Sequence, residues 1–163
     1  MDGIPSFTEL YRYSDNAYFA DNYTKEIDYQ GESAMEVYLR VMNSTPGWVN
    51  KLMKIRNEVV SRMGLKHLGN LDDFYPKKTA DDYQVGDKVG IFEMIYKSHS
   101  EVIMEDRDKH LDVKLSFFVE PHGDKALVTA SSVVHVKNTF GKVYMFFVGP
   151  VHKIIVPATL KKL

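Results

Sequence analysis

The chain contains no cysteine. That absence excludes disulfide staples, thiolate zinc centres, iron–sulfur ligation and cysteine nucleophiles together, and it fits a reducing compartment. Proline and glycine are sparse, six and ten in 163 residues. No stretch rich in Pro, Gly or Ser divides the chain, and no internal repeat is present, so one domain is expected. There is no dominant charge of one sign: 21 Lys and Arg stand against 22 Asp and Glu, a formal net charge of −1. Such a balance gives no long-range field for nucleic acid or an anionic membrane. The opening MDGIPSFTELYRYSDN has neither a basic n-region nor an apolar h-region, so no signal peptide is read there and a cytoplasmic location is expected. No apolar run approaches the roughly 20 residues of a membrane span. What is present builds a core: hydrophobic residues make up 44% of the chain.

Periodicity divides the sequence into an early mixed part and a later β part. Residues 17–30, AYFADNYTKEIDYQ, favour a strand that ends at Gly31. Ser33 followed by Glu36 is a capping box. Ala34, Val37, Tyr38, Val41 and Met42 then share one helical face, which predicts a helix to about Asn43. Thr45 as N-cap, Pro46 at the first position and Gly64 as a glycine stop frame a second helix over about 46–63. Arg56 interrupts its apolar stripe. Residues 66–87 carry turn signals throughout and read as a long connection. From Lys88 the period becomes two, with runs at 88–96, 100–106, 109–120, 125–137 and 142–148 separated by hairpin-length breaks. The last stretch, VHKIIVPATLKKL, reads as a helix made short or broken by Pro157. This order predicts an α+β fold, with helices covering one face of a curved antiparallel sheet. Strands that are apolar on both faces imply either extra covering or an apolar pocket.

The ordered segments TPGWVNKLMKIRN, VGIFEMI, SEVIMEDRDKHLDVKLSFFVE and HVKNTFGKVYMFFVGPVHKIIV resemble the DUF2867 family, a domain of unknown function. The likeness runs from about Tyr18 to Leu160. Its most specific parts are Asp108-x-His110-Leu-Asp112 and Gly141-Lys-Val-Tyr144 leading to Pro150-Val-His152. The family resembles the START and Bet v 1 helix-grip proteins, which implies a curved antiparallel sheet with helices on its concave face. It implies no single chemistry, because helix-grip domains include lipid carriers, hormone receptors, cyclases and hydrolases. Some longer relatives begin with a dinucleotide-binding domain. This sequence has no G-x-G-x-x-G, so no nicotinamide site carries over, and no cofactor is expected.

Several side chains are candidates for a site. In strand geometry His110, Asp112, Lys114 and Ser116 project to one face and Leu111, Val113, Leu115 and Phe117 to the other. The polar set is either a solvated charge ladder or the wall of the concavity, where His110 and Asp112 would form an acid/base pair. The order H-x-D with a later His135 or His152 also matches a facial two-histidine, one-carboxylate metal set, although the fold reading does not suit such a centre and no metal is expected. Arg56 either snorkels or points inward as a fixed cation for an anionic group. Trp48 packs or stacks on a ligand. His152 is a core or capping histidine, or an acid/base group facing the cavity. Tyr144, Phe117, Met94, Tyr96, Phe118 and Phe146 are candidate wall residues. His67, His99 and His122 fall in predicted turns, and Ser131 and Ser132 lack the G-x-S-x-G setting of a nucleophile. The reading favoured by these residues is a protein binding a small apolar or amphipathic molecule. The alternatives are an enzyme using His110 and Asp112, or a dimerising interaction module.

Overall fold

The computed structural model describes residues 3–64 and 78–163. A 3₁₀ turn, Glu9–Tyr13, precedes the first strand, β1 (Phe19–Asp28). Two helices follow, α1 (Ala34–Asn43) and α2 (Gly47–Ser61). The chain then forms β2 (Lys88–Val89), β3 (Phe92–Lys97), β4 (Glu101–Arg107), β5 (Leu111–His122) and β6 (Lys125–Val136), and ends in the long helix α3 (Thr139–Leu160). The six strands make one antiparallel sheet in the order β1-β6-β5-β4-β3-β2. With two helices inserted after β1 and a long helix after the last strand, this is the helix-grip arrangement.

Local chemistry explains most of the boundaries. The capping box at α1 is formed: Glu36 N donates to Ser33 Oγ at 3.2 Å, and Ser33 N donates to Glu36 Oε2 at 2.6 Å. Gly64 adopts φ +79°, the left-handed conformation expected of a glycine stop. The start of α2 corrects the sequence reading. Pro46 is the N-cap, and the Thr45 hydroxyl instead donates to Met42 O at 2.7 Å, closing the end of α1. Of the predicted long connection, residues 78–87 are described and hold a 3₁₀ turn at Ala80–Asp82; the rest, with His67, lies outside the described residues.

The larger correction concerns the end of the chain. Residues 142–148, expected as a fifth β run, are helical, and α3 runs without a break through Pro150 and Pro157. A stretch apolar at every position fits a helix as well as a strand, so periodicity does not decide it. Asn138 does: its Oδ1 accepts from Gly141 N at 3.0 Å as a helix N-cap. Gly141 lets the new helix start against the sheet, since a Cβ there would lie 2.7 Å from His110 O. Once the two segments join, α3 is long and apolar enough to cross a membrane by length and composition, where the sequence reading finds no such run. Its inner side nevertheless packs on the protein, burying Gly141, Met145, Gly149, Thr159 and Leu160. Lys25 Nζ donates to the carbonyl oxygens of Leu160, Lys161 and Leu163.

The sheet is covered on both sides, which accounts for its two-sided apolar strands. On one face Tyr38 of α1 meets Phe117 edge-on at 5.5 Å within the main core, and Met145 of α3 packs with Leu111 and Val134. On the other face the N-terminal segment supplies Ile4 and Leu10 against Ile103 and Val133. Glu101, buried there, accepts from Glu9 N at 2.6 Å, Leu10 N at 3.2 Å and Ser116 Oγ at 2.6 Å. One carboxylate thus staples the first turn of the chain to the sheet.

Candidate functional site

Register determines which side chains share the helix-covered face. Leu115 of β5 lies opposite Ser132 of β6, and Ser132 lies opposite Asp21 of β1. Leu115 also lies opposite Met104 of β4. Asp21, Ser132, Leu115 and Met104 therefore form one row across four strands. The neighbouring row runs Phe19, Val134, Val113 and Asp106. Val113 and Leu115 are only half-buried although they sit mid-sheet beneath helices, whereas Met104 and Phe117 are buried.

The β1 end of that row is polar. His152 of α3 stands over it, with Nδ1 3.1 Å from Asp21 Oδ2 and Nε2 a looser 3.5 Å from Ser132 Oγ. The Phe19 ring meets the imidazole edge-on at 5.7 Å. The carboxylate–imidazole–hydroxyl order matches the relay that holds a general base in one tautomer, with Nδ1–H toward Asp21. Burial pushes the Tyr23 hydroxyl pKa up, and the adjacent Asp21 carboxylate adds to the shift. Among the described residues, Asp21 Oδ1 is buried without a hydrogen-bond partner. The Tyr23 hydroxyl, two residues along the same strand face, interacts with this carboxylate and is the neighbouring group able to donate to it.

A second polar contact links the two helices beside this face. Arg56 Nε donates to Tyr144 Oη at 3.0 Å, its guanidinium lies 5.6 Å over the Tyr144 ring, and Arg56 Nη1 donates to Asn57 Oδ1 at 3.0 Å. Arg56, read from sequence as snorkelling or as an inward cation for an anionic group, is engaged in an α2–α3 contact with Tyr144, a candidate wall residue.

The sequence leaves His110 and Asp112 as either part of a solvated charge ladder or an acid/base pair, and the geometry separates the two residues. His110 precedes the strand, in a bend whose backbone is held by Asp108 Oδ1, which accepts from His110 N at 2.6 Å and Leu111 N at 2.8 Å. Its ring packs 4.6 Å from Phe140, and Asn138 Nδ2 donates to its Nδ1 at 2.9 Å. The residue props the start of α3. Asp112 projects to the opposite face of the sheet, 2.8 Å from Lys114 Nζ and 3.3 Å from Arg107 Nε. Glu105 completes the cluster at 2.9 Å from Lys114 and 2.9 Å from Arg107, and Lys114 Nζ lies 5.2 Å over the Tyr13 ring. Burial pushes the Asp112 pKa up, but the Lys114 hydrogen bond and the Lys114 and Arg107 charges outweigh it and hold the carboxyl below its ordinary range. His135, opposite Asp112, is engaged with Asp15 O at 2.9 Å. His110, Asp112 and His152 are not brought together, so the facial metal set is not assembled by these residues.

The remaining candidates divide by face. Phe117 and Met94 are buried core on the helix side. Tyr96 packs near Ile103, and Phe118 meets Phe7 at 5.2 Å, both on the other side. Trp48 and Phe146 point outward from their helices. Sequence reasoning found His152 but missed Asp21 and Ser132. The available signal was a charged residue at the inward position of a strand, Asp21 between Phe19 and Tyr23 in an alternating run.

The fold and this polar row define a helix-grip protein with a carboxylate–histidine–serine contact between its long helix and its sheet. The chain belongs to the DUF2867 family, described as a protein of unknown function, whose model matches residues 13–159. No curated protein matches it. Solved structures of similar outline include a conserved protein from Geobacillus kaustophilus, at 15% identity over 88% of this chain and 91% of that one, with a TM-score of 0.42. A START superfamily protein from Mycobacterium smegmatis follows at 14% identity over 88% and 90%, TM-score 0.38. Norcoclaurine synthase from Thalictrum flavum, solved in complex with dopamine and hydroxybenzaldehyde, is 16% identical over 97% and 92%, TM-score 0.35.

Proposed function

We propose that the protein binds a small amphipathic molecule between the helix-covered face of the sheet and the helices. The observation that carries this reading is the row Asp21–Ser132–Leu115, which runs from a buried carboxylate beside the His152 and Tyr23 side chains to a half-buried aliphatic floor. Few polar groups set in an apolar surround are the usual make-up of a ligand site. Two strand spacings separate Asp21 from Leu115, about 10 Å, a span suited to a ligand of one or two rings or a short chain. The polar end would carry a hydroxyl or amine to donate to Asp21 Oδ1, and the apolar body would lie on Val113 and Leu115.

Native mass spectrometry of the purified full chain is expected to show a retained small molecule, or stoichiometric uptake of the apolar probe anilinonaphthalene sulfonate. Leu115→Trp fills the floor and is expected to weaken that uptake at least about tenfold without lowering the unfolding midpoint. Unchanged uptake in a folded Leu115→Trp protein would place any binding elsewhere and sink the reading. A catalytic alternative is supported by one observation, the Asp21 carboxylate on His152 Nδ1, which is how a general base is oriented. It predicts turnover that vanishes in His152→Gln while ligand uptake persists.

A further inference from the structure

The formal charge of −1 conceals a strong segregation. From Lys125 to the end the chain carries six lysines and no acidic residue. Helix α2 and its C-cap carry Lys51, Lys54, Arg56 and Arg62 against Glu58 alone. Among the described residues, the two helices also hold most of the exposed bulk hydrophobics. On α2, Trp48, Leu52, Ile55 and Val59 form one row opposite the buried Asn57 and beside Val49 and Val60. On α3, Val143, Phe146, Phe147, Val151 and Ile154 form another, turned away from buried Met145 and Gly149. Phe146 and Phe147 are 73% and 67% exposed and pack on each other at 5.3 Å, and Ile55 is 59% exposed.

The Arg56–Tyr144 contact ties the two rows side by side. Ile55 adjoins Arg56 in the chain, and Val143 adjoins Tyr144. Lys51, Lys54 and Arg62 flank the first row, Lys142 and Lys153 flank the second, and Lys161 and Lys162 follow its end; all seven are exposed. Aromatic and aliphatic side chains bordered by cations, on helices whose other sides pack on the protein, are the pattern of helices that lie in a lipid interface.

We propose that the outer rows of α2 and α3 form a docking surface for an anionic lipid bilayer. Charge decides between this occupant and a second copy of the chain. A two-fold interface would bring basic borders against basic borders, since all the flanking charges are of one sign, and the only acid on these helices, Glu58, is already paired with Arg62 at 3.2 Å. Phosphatidylserine headgroups would neutralise the lysines, while Trp48, Phe146 and Phe147 enter the acyl boundary. Helix α3 lies flat in this arrangement, because its inner side and its last carbonyl oxygens are held by the sheet. The proposal stands apart from the ligand reading: it concerns the outward sides of the helices and survives a failure of that reading.

Trp48 is the only tryptophan among ten tyrosines, so emission excited selectively at tryptophan reports this surface alone. The full chain is expected to float with phosphatidylcholine vesicles containing about one third phosphatidylserine, to shift its emission to the blue, and to release as salt is raised. Lys142→Glu with Lys153→Glu, and separately Phe146→Ser with Phe147→Ser, are each expected to weaken partition at least about tenfold in proteins with unchanged circular dichroism. Equal partition into pure phosphatidylcholine would overturn the anionic assignment. Absence of flotation with unmoved Trp48 emission would overturn docking altogether. A dimer that shifts Trp48 emission without lipid would give the surface to a second copy.

Discussion

Two polar clusters lie on opposite faces of the same sheet, and they are built on different terms. Lys114, Asp112, Glu105 and Arg107 occupy the face closed by the N-terminal segment, and among the described residues their charges alternate in sign and contact one another at 2.8–3.3 Å. Asp21, His152 and Ser132 occupy the helix-covered face, with one firm contact, one at 3.5 Å and a carboxylate oxygen without a partner. The first cluster resembles a site in sequence because its residues are dense and close in the chain. The second does not, because its residues are 131 and 20 positions apart. A saturated network has no spare valence for a ligand; a sparse one does.

That contrast can be broken in order of expected effect. Lys114→Met removes the cation that Glu105 and Asp112 share and leaves two largely buried carboxylates facing a mostly exposed Arg107, which is expected to cost about 3 kcal/mol in urea unfolding. A loss below about 0.5 kcal/mol would show that the network is only a surface ladder. Acid should act through the same cluster. Asp112 is held below its unfolded pKa, so its contribution is present above about pH 4 and disappears as pH falls through the folded value. Asp112→Asn is therefore expected to flatten the acid limb of stability against pH. On the other face, Ser132→Ala is expected to change stability by less than about 0.5 kcal/mol, because a 3.5 Å contact contributes little. Asp21→Asn should instead alter ligand uptake, since an amide can present a donor where the ligand must bring one.

The legibility of the chain follows the range of the interactions concerned. Ser33 with Glu36 and Gly64 were readable because capping and positive φ are decided within a few residues. Strands β3 to β6 were readable because alternation repeats along each of them. The fate of 142–148 was not, because a wholly apolar run carries no period, and the Asn138 cap that settles it looks like a hairpin turn from sequence. The choice for Asp112 between a charge ladder and a pair with His110 was undecided for a related reason. A bend ending at Leu111 takes His110 out of the strand, so alternation no longer places it with Asp112. Arg56 was correctly singled out as an interruption, but its partner, 88 positions away on a helix read as a strand, was beyond reach.

The pairing of β1 with β6 has a consequence for how the protein is made. Phe19 lies beside Val134 in the finished sheet, so the first strand leaves the ribosome well before its partner exists. At roughly 5–20 residues per second, its edge waits several seconds or more with Phe19, Tyr23 and Ile27 uncovered. During that interval β2 to β5 can assemble as a meander, and β1 joins last, so the Asp21–His152 contact forms only after α3 has been synthesised. The Asp21–His152 contact is therefore among the last to form, and a nascent chain truncated before Thr139 would carry Asp21 and Ser132 on its strands without the histidine.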